Sequence, residues 1–347
     1  MAEAPDREGS VRVRRRWLRW LALGAGVLVV GLLLHALGTG HIAAYLRRVG
    51  PGFALLPLCY LLATLLYSLP LGVFLDGDEG DGAMTARPRL GPLLSGRIAA
   101  ISVNSSTPLL GLGGEPVRLL WLPRAVRRRA VAALFVDRGA YLLASALFLV
   151  SGTLVAVGRL QLPRVALVAM VAVALATLVG AGLLWWMQRR GSVAGPLARL
   201  AATFARHHRE RLATLASEVD GRLRALHAGP PRRFTAAVSL HLGGRLLMVA
   251  EMAAGAWLLG LHVGLGGALV LTALPLAVDF AFAVVPSQIG LHEGATALLA
   301  GGLGLDPAAG VALAFLLRLR QVLFVAAGFA LLALVRHAPE ARQRGEA

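Results

Sequence analysis

Long apolar runs separated by short polar segments dominate the chain. Runs of about 20 residues are long enough to cross a bilayer as helices, and this chain has them at residues 17–37, 53–75, 131–157, 162–187, 234–261, 265–285 and 308–335. A shorter glycine-rich run at 291–305 brings the count to about eight if it also crosses. The pattern predicts an all-α protein, a polytopic transmembrane helical bundle with two interrupted or re-entrant regions.

The two interruptions are polar and rich in residues that break helices. The first, within residues 97–122, contains Asn104, Ser105, Gly113, Gly114, Glu115, Pro116 and Arg118, and the second, VPSQIGLHE at 285–293, contains Pro286, Gly290 and Glu293. Charges and non-helical backbone at membrane depth persist only where protein or a water-filled cavity satisfies them. Paired interruptions in the two halves of a chain point to a transporter substrate site. The alternative is that each cluster is a loop at the membrane surface.

Composition supports the membrane interpretation. Hydrophobic residues make up 57% of the chain, the mean hydropathy is +0.70, and all 35 basic residues are arginines. The formal charge of +17 lies mainly in short segments between apolar runs, where it favours membrane orientation and contact with an anionic bilayer surface rather than nucleic acid. This residue usage predicts a bacterial protein. The single Cys59 excludes an intrachain disulfide.

The basic segments define the expected domain organisation. Residues 1–16 form a basic cytoplasmic tail, residues 17–335 the transmembrane domain, and residues 336–347 a second cytoplasmic tail. Within the domain, the arginine-rich segment 188–233 has leucines at helical spacing. It is predicted to be one amphipathic helix on the cytoplasmic membrane surface.

The order of the polar motifs resembles that of the flippase-like proteins with a lysylphosphatidylglycerol synthase transmembrane region. The likeness runs from about residue 18 to residue 334. One departure is His292, where the family usually has an arginine before the glutamate. The motif residues in this chain are Asn104, Gly113, Gly114, Glu115, Pro116, Arg118, Asp137, Arg138, Pro286, Gly290, Glu293 and Arg318.

The resemblance implies an inner-membrane protein that binds a lipid headgroup in a polar cavity and moves the lipid between leaflets. These motif residues, with Ser105, are the expected substrate-binding residues, although Glu115 and Asp137 could instead pair with arginines. The expected substrate is a lipid with an anionic or aminoacylated headgroup, or a polyprenyl-phosphate-linked lipid. No catalytic residue, metal or cofactor is expected, and the chain is predicted not to be an enzyme.

Two other functions remain open at this point. The chain could be a non-transporting subunit that docks a lipid-synthesis enzyme or glycosyltransferase, or it could itself modify lipids. A substrate-sized cavity that joins both interrupted regions would favour transport.

Overall fold

Apolar runs form helices throughout the part of the chain that the structure describes. The computed structural model describes residues 49–76, 89–107, 113–159, 164–204, 207, 209–281 and 291–343, and contains no strand in these ranges. The predicted span at 17–37 and the tail at 1–16 lie outside the described residues, as do Pro286 and Gly290. The predicted class, an all-α transmembrane bundle, is confirmed.

The helices are numbered here in chain order. They are α1 (Leu55–Leu75), α2 (Leu90–Ser106), α3 (Glu115–Arg118), α4 (Arg127–Arg159), α5 (Arg164–Arg190), α6 (Ala194–Phe204), α7 (Arg209–Ala228), α8 (Pro231–Leu258), α9 (Leu265–Ala273), α10 (Pro275–Ala281), α11 (Leu291–Gly302) and α12 (Pro307–Gln343). Short 3₁₀ turns precede α1 and join α3 to α4.

Five helical stretches among the described residues are long and apolar enough to cross a membrane. They are Gly50–Leu75, Arg124–Gly158, Leu167–Arg190, Pro231–Leu258 and Pro307–Val335. Each coincides with a predicted span. The predicted span at 265–285 is instead divided into α9 and α10, because Pro275 has no N–H to continue the helical hydrogen bonds. The total of about eight spans stays a prediction.

Small residues allow the central helices to pack closely. Helix α1 packs along α8 and α2, and α12 packs along α2 and α11. Gly328 of α12 faces Ile98 and Ser102 of α2, so closely that a side chain at position 328 would collide with them. The Ser102 hydroxyl therefore reaches across to donate to the Val325 carbonyl at 3.0 Å. Small residues and short polar contacts of this kind are typical of helix packing in membranes.

Helix α5 has the most exposed apolar surface of the spanning helices. Val165, Val168, Leu175 and Val179 are each more than half exposed. Such a surface is suited to lipid contact, since lipid tails are as apolar as the side chains. At its end, the Arg190 guanidinium lies 4.2 Å from the Trp186 ring centroid, as expected where a helix leaves the bilayer.

The arginine-rich segment after α5 forms two helices, so the prediction of one amphipathic helix was wrong. Gly191 adopts φ +58°, which turns the chain before α6 begins. The buried Asp220 carboxylate of α7 then accepts hydrogen bonds from the backbone N–H groups of Val193, Ala194 and Gly195, at 2.8–3.1 Å. A carboxylate at the start of α6 satisfies donors that have no partner inside the helix, and it requires α7 to fold back against α6.

A glutamine fixes this helix pair to the bundle. Gln188, fully buried at the end of α5, donates to the Phe135 carbonyl of α4 at 2.7 Å, and its Oε1 lies 3.3 Å from His227 Nε2 of α7. Burial and the nearby Arg189 lower the pKa of His227. The neutral imidazole can then donate to Gln188 without placing a further charge beside Arg189.

Replacing the α6-capping carboxylate tests this arrangement. We expect Asp220→Ala to lower the free energy of unfolding by about 1–2 kcal/mol, the usual loss when a helix-capping side chain is removed. The measurement is the thermal midpoint of the purified protein in detergent. Glu218→Ala is the matched control, since its ion pair with Arg222 is partly exposed and joins residues four apart on the same helix. Equal midpoints for the two variants would contradict the capping role.

Candidate functional site

Polar side chains from several helices converge on one cavity of about 420 Å³ inside the apolar bundle. Asn104, Ser105 and Thr107 of the first interrupted region line one part of it, and His292 of the second lines another. The charged groups that line it are Arg97, Arg138, Arg245, Arg318, Arg320, Glu251 and Asp279. A single cavity therefore joins both interrupted regions.

One wall contains a buried ion pair between α8 and α12. Arg320 Nε donates to Glu251 Oε1 at 2.7 Å, and its guanidinium carbon lies 3.8 Å from the Tyr60 ring centroid. The side chain of Glu251 is only 1% exposed, and its Oε2 has no hydrogen-bond partner among the described residues. The pair thus places in the cavity lining a cation and a carboxylate with one unpartnered oxygen.

A second wall gathers three arginines around the ring of Tyr141. The guanidinium carbons of Arg97, Arg138 and Arg245 lie 5.9, 4.9 and 5.0 Å from its centroid. Arg245 also donates to the Tyr141 hydroxyl at 2.8 Å and to the Ser145 hydroxyl at 2.7 Å. An aromatic ring attracts cations to its face, and these hydroxyls are uncharged. The arrangement holds Arg245 in place without neutralising it.

Behind this wall, a chain of charged groups connects α2, α3, α4 and α8. Arg97 lies 3.5 Å from Glu115, whose other carboxylate oxygen is 3.0 Å from Arg118. Arg118 also donates to Asp137 at 2.6 Å, and Asp137 contacts His241 Nε2 at 2.8 Å. Arg118, Asp137 and His241 are almost fully buried. Each of these charges is therefore compensated by groups from a different part of the chain.

The first interrupted region folds back on α2 through its backbone. Asn104 Oδ1 accepts a hydrogen bond from the Gly114 N–H at 2.6 Å. A side chain at position 114 would collide with the Ala100 carbonyl, so glycine permits the close approach. Pro116 lies at the start of α3, where its missing N–H is tolerated. This turn brings Glu115 and Arg118 to the side of α2 that carries Arg97.

The described part of the second interrupted region forms an ion pair with α12. Glu293, at the start of α11, accepts a hydrogen bond from Arg318 Nε at 2.6 Å. The neighbouring His292 lies 3.9 Å from Asp279 of α10. Glu293 thus orients an arginine that lines the cavity.

The predicted substrate-binding residues occupy three kinds of position. Asn104, Ser105, Arg138 and Arg318 line the cavity. Glu115, Arg118, Asp137 and Glu293 form ion pairs next to it. Gly113, Gly114 and Pro116 form the turn that positions those pairs. The pairing alternative considered for Glu115 and Asp137 is the arrangement observed.

Five charged residues of the cavity were not predicted as site residues from the sequence. They are Arg97, Arg245, Glu251, Asp279 and Arg320. Each lies in or beside an apolar run, and an ionisable residue inside a predicted span is itself a signal of a functional site. The aromatic partners Tyr60 and Tyr141 carry no comparable signal, because an uncharged tyrosine in a predicted span needs no compensating charge.

Comparison with known proteins supplies one match. The family described as the lysylphosphatidylglycerol synthase TM region matches residues 19–328, which is most of the chain. No curated protein and no solved structure matches. The matched residues include the polar cavity, both described motif regions, and all of the membrane-length helical stretches except the end of Pro307–Val335. The chain is therefore a multi-pass integral membrane protein that belongs to the lysylphosphatidylglycerol synthase TM region family.

Proposed function

We propose that this protein binds the phosphate-bearing headgroup of a membrane lipid in the arginine-lined cavity and moves the lipid between the two leaflets. The observation that carries the proposal is a single polar cavity of about 420 Å³ that reaches both interrupted regions inside an apolar bundle. A headgroup crossing the hydrocarbon core needs polar groups to replace its water, and this cavity supplies them.

The charge of the cavity favours an anion. Its lining contains five arginines and two carboxylates. The guanidinium group is planar and presents its N–H donors as a fork that matches the oxygens of phosphate. Arg245 is the clearest candidate, because its two side-chain hydrogen bonds go to neutral hydroxyls and its Nε has no partner among the described residues.

The size of the cavity fits a headgroup better than a whole lipid. Small-molecule sites usually enclose about 300–1,000 Å³, and the volume of about 420 Å³ is near the lower end of that range. We infer that the headgroup enters while the hydrocarbon chains stay in the bilayer beside the bundle. The energetic barrier to crossing then falls, since only the polar part has to be transferred.

Short and broken helices next to the cavity supply parts that can move. Helix α10 begins at Pro275, directly after α9 ends, and Pro275, Leu276 and Asp279 line the cavity. Discontinuous helices beside a central site are a common feature of transporters. We therefore assign the opening and closing of the cavity to α9 and α10.

The proposal treats the chain as a transporter rather than an enzyme. The charged groups of the cavity are mostly arginines held by carboxylates or aromatic rings, an arrangement suited to binding anions. We further propose a bacterial inner membrane with both termini in the cytoplasm. On this orientation the arginines of α6 and α7 face anionic headgroups of the cytoplasmic leaflet.

Removing the charge of Arg245 tests the binding site. We expect Arg245→Gln to weaken binding of a short-chain phosphatidylglycerol by about tenfold to a hundredfold, because a hydrogen bond to a charged group contributes about 1.5–3 kcal/mol. Isothermal titration in detergent measures the affinity. Glutamine is polar and uncharged, so the substitution removes the charge without placing an apolar group in the cavity lining.

The control for this substitution is Arg222→Gln, which removes an arginine from the partly exposed ion pair on α7. The affinity of this variant for the short-chain phosphatidylglycerol should equal that of the unaltered protein. If Arg245→Gln binds the lipid as tightly as this control, the cavity is not the headgroup site.

Reconstitution tests movement itself. We expect the purified protein in vesicles to increase the rate of transfer between leaflets more for anionic lipids than for phosphatidylcholine. For fluorescent phosphatidylglycerol and polyprenyl phosphate the increase should be at least about tenfold larger. The reason is that a fixed positive ammonium is disfavoured beside the arginines, since like charges repel at short range. Reduction of the outer-leaflet label by dithionite measures the transfer.

The same vesicles distinguish transport from the other interpretations. Equal rates for anionic and zwitterionic lipids would contradict selection by the arginines. If the folded protein moves no lipid, the accessory-subunit hypothesis becomes the better one.

A further inference from the structure

One carboxylate that lines the cavity, Glu251, has fewer partners than Glu115 and Asp137 behind the cavity wall. Glu251 lies on spanning helix α8 and is 0% exposed, yet it lines the cavity. Its Oε1 accepts from Arg320, while Oε2 is buried without a hydrogen-bond partner in the described chain. By contrast, Glu115 and Asp137 have both oxygens engaged, Glu115 by Arg97 and Arg118.

The charge of Glu251 therefore depends on one cation. A buried carboxylate without a compensating charge is strongly disfavoured, and it takes up a proton when its partner leaves. In its ionised form, Glu251 is held by the Arg320 guanidinium at 2.7 Å. In its protonated form, the new O–H could donate a hydrogen bond and would need no cation.

Arg320 is also a cation that an anionic headgroup would approach. It lines the same cavity and rests 3.8 Å above the Tyr60 ring, which supports the guanidinium independently of Glu251. A phosphate in the cavity would compete with Glu251 for the N–H groups of Arg320. Once the guanidinium turns to the phosphate, Glu251 is left without its partner.

The groups that face Glu251 from the neighbouring helices do not replace that partner. Tyr60 and Cys59 of α1 lie near Glu251, but neither side chain can carry a positive charge in place of Arg320. Across the cavity, Asp279 of α10 lies near His292 of α11. That second titratable pair requires a control in any experiment on pH.

We propose that Glu251 is a proton-binding site that couples lipid movement to a proton gradient across the membrane. Binding of the headgroup to Arg320 is accompanied by uptake of one proton by the Glu251 carboxylate from water on the entry side. Release of the headgroup on the other side returns Arg320 to Glu251, and the proton leaves into water there. A monoanionic lipid and one proton then cross together without net charge.

This inference rests on the proposed transport function, and the experiment separates the two. The protein is reconstituted in phosphatidylcholine vesicles with fluorescent phosphatidylglycerol, and a gradient of one pH unit is imposed. With one proton per lipid, the ratio of label between the leaflets should shift about tenfold toward the alkaline side, since one pH unit corresponds to a tenfold ratio. Without a gradient, the label should simply equilibrate.

Glu251→Gln should still equilibrate the label but should lose the tenfold shift, because glutamine cannot carry a proton. Glu251→Asp keeps a titratable group and should retain the shift, at a lower rate. Glu218→Gln on α7 is the control for removal of a carboxylate far from the cavity, and Asp279→Asn tests the pair at His292. The Glu218→Gln control should keep the tenfold shift, whereas loss of the shift in Asp279→Asn but not in Glu251→Gln would assign the proton to the pair at His292 and overturn the inference.

Three results would overturn the inference. Wild-type protein that equilibrates the label but shows no shift would disprove coupling while leaving the transport proposal intact. A tenfold shift in Glu251→Gln would assign the proton to another group. Failure of the wild-type protein to move the label at all would refute the transport proposal and this inference together. If Glu251→Gln does not fold, the wild-type shift itself still decides whether lipid movement is coupled to protons.

Discussion

The structure depends on one constraint: a charge inside an apolar bundle must be compensated within the bundle. The charge of Arg118 is compensated by the carboxylates of Glu115 and Asp137, and Asp137 also contacts the ring of His241. Removing one member of a buried pair leaves an uncompensated charge, and this lowers the free energy of unfolding by about 3–5 kcal/mol. Because these groups come from α3, α4 and α8, satisfying their charges also fixes how those helices pack.

This constraint separates the polar residues into a frame and a binding surface. The frame consists of Glu115, Arg118, Asp137 and His241, which contact one another behind the cavity wall. Arg97 belongs to both parts, since it lines the cavity and lies 3.5 Å from Glu115. A family motif residue can therefore be essential without touching a ligand. Loss of activity on changing Arg118 would say little about binding unless folding were measured as well.

The sequence predicted the spanning helices better than the site. Long apolar runs such as 131–157 define helices directly, because only helices satisfy their own backbone in lipid. The division between α9 and α10 at Pro275 lies within a continuous apolar run, so the hydropathy pattern does not reveal that the helix is broken there. The contacts between charged side chains were harder still to predict. Glu251 and Arg320 are 69 residues apart, so their contact depends on how α8 and α12 pack. The charges were visible in the sequence, but their partners were not.

The number of partners on a buried carboxylate then decides what it can do. Asp137 and Glu251 are equally removed from water, at 2% and 0% exposure, so burial does not distinguish them. Asp137 is held by an arginine and a histidine on different elements, and losing one contact leaves the other in place. Glu251 is held by Arg320, which also faces the cavity. An anion in the cavity can therefore change the surroundings of Glu251 while Asp137 keeps the helices in position.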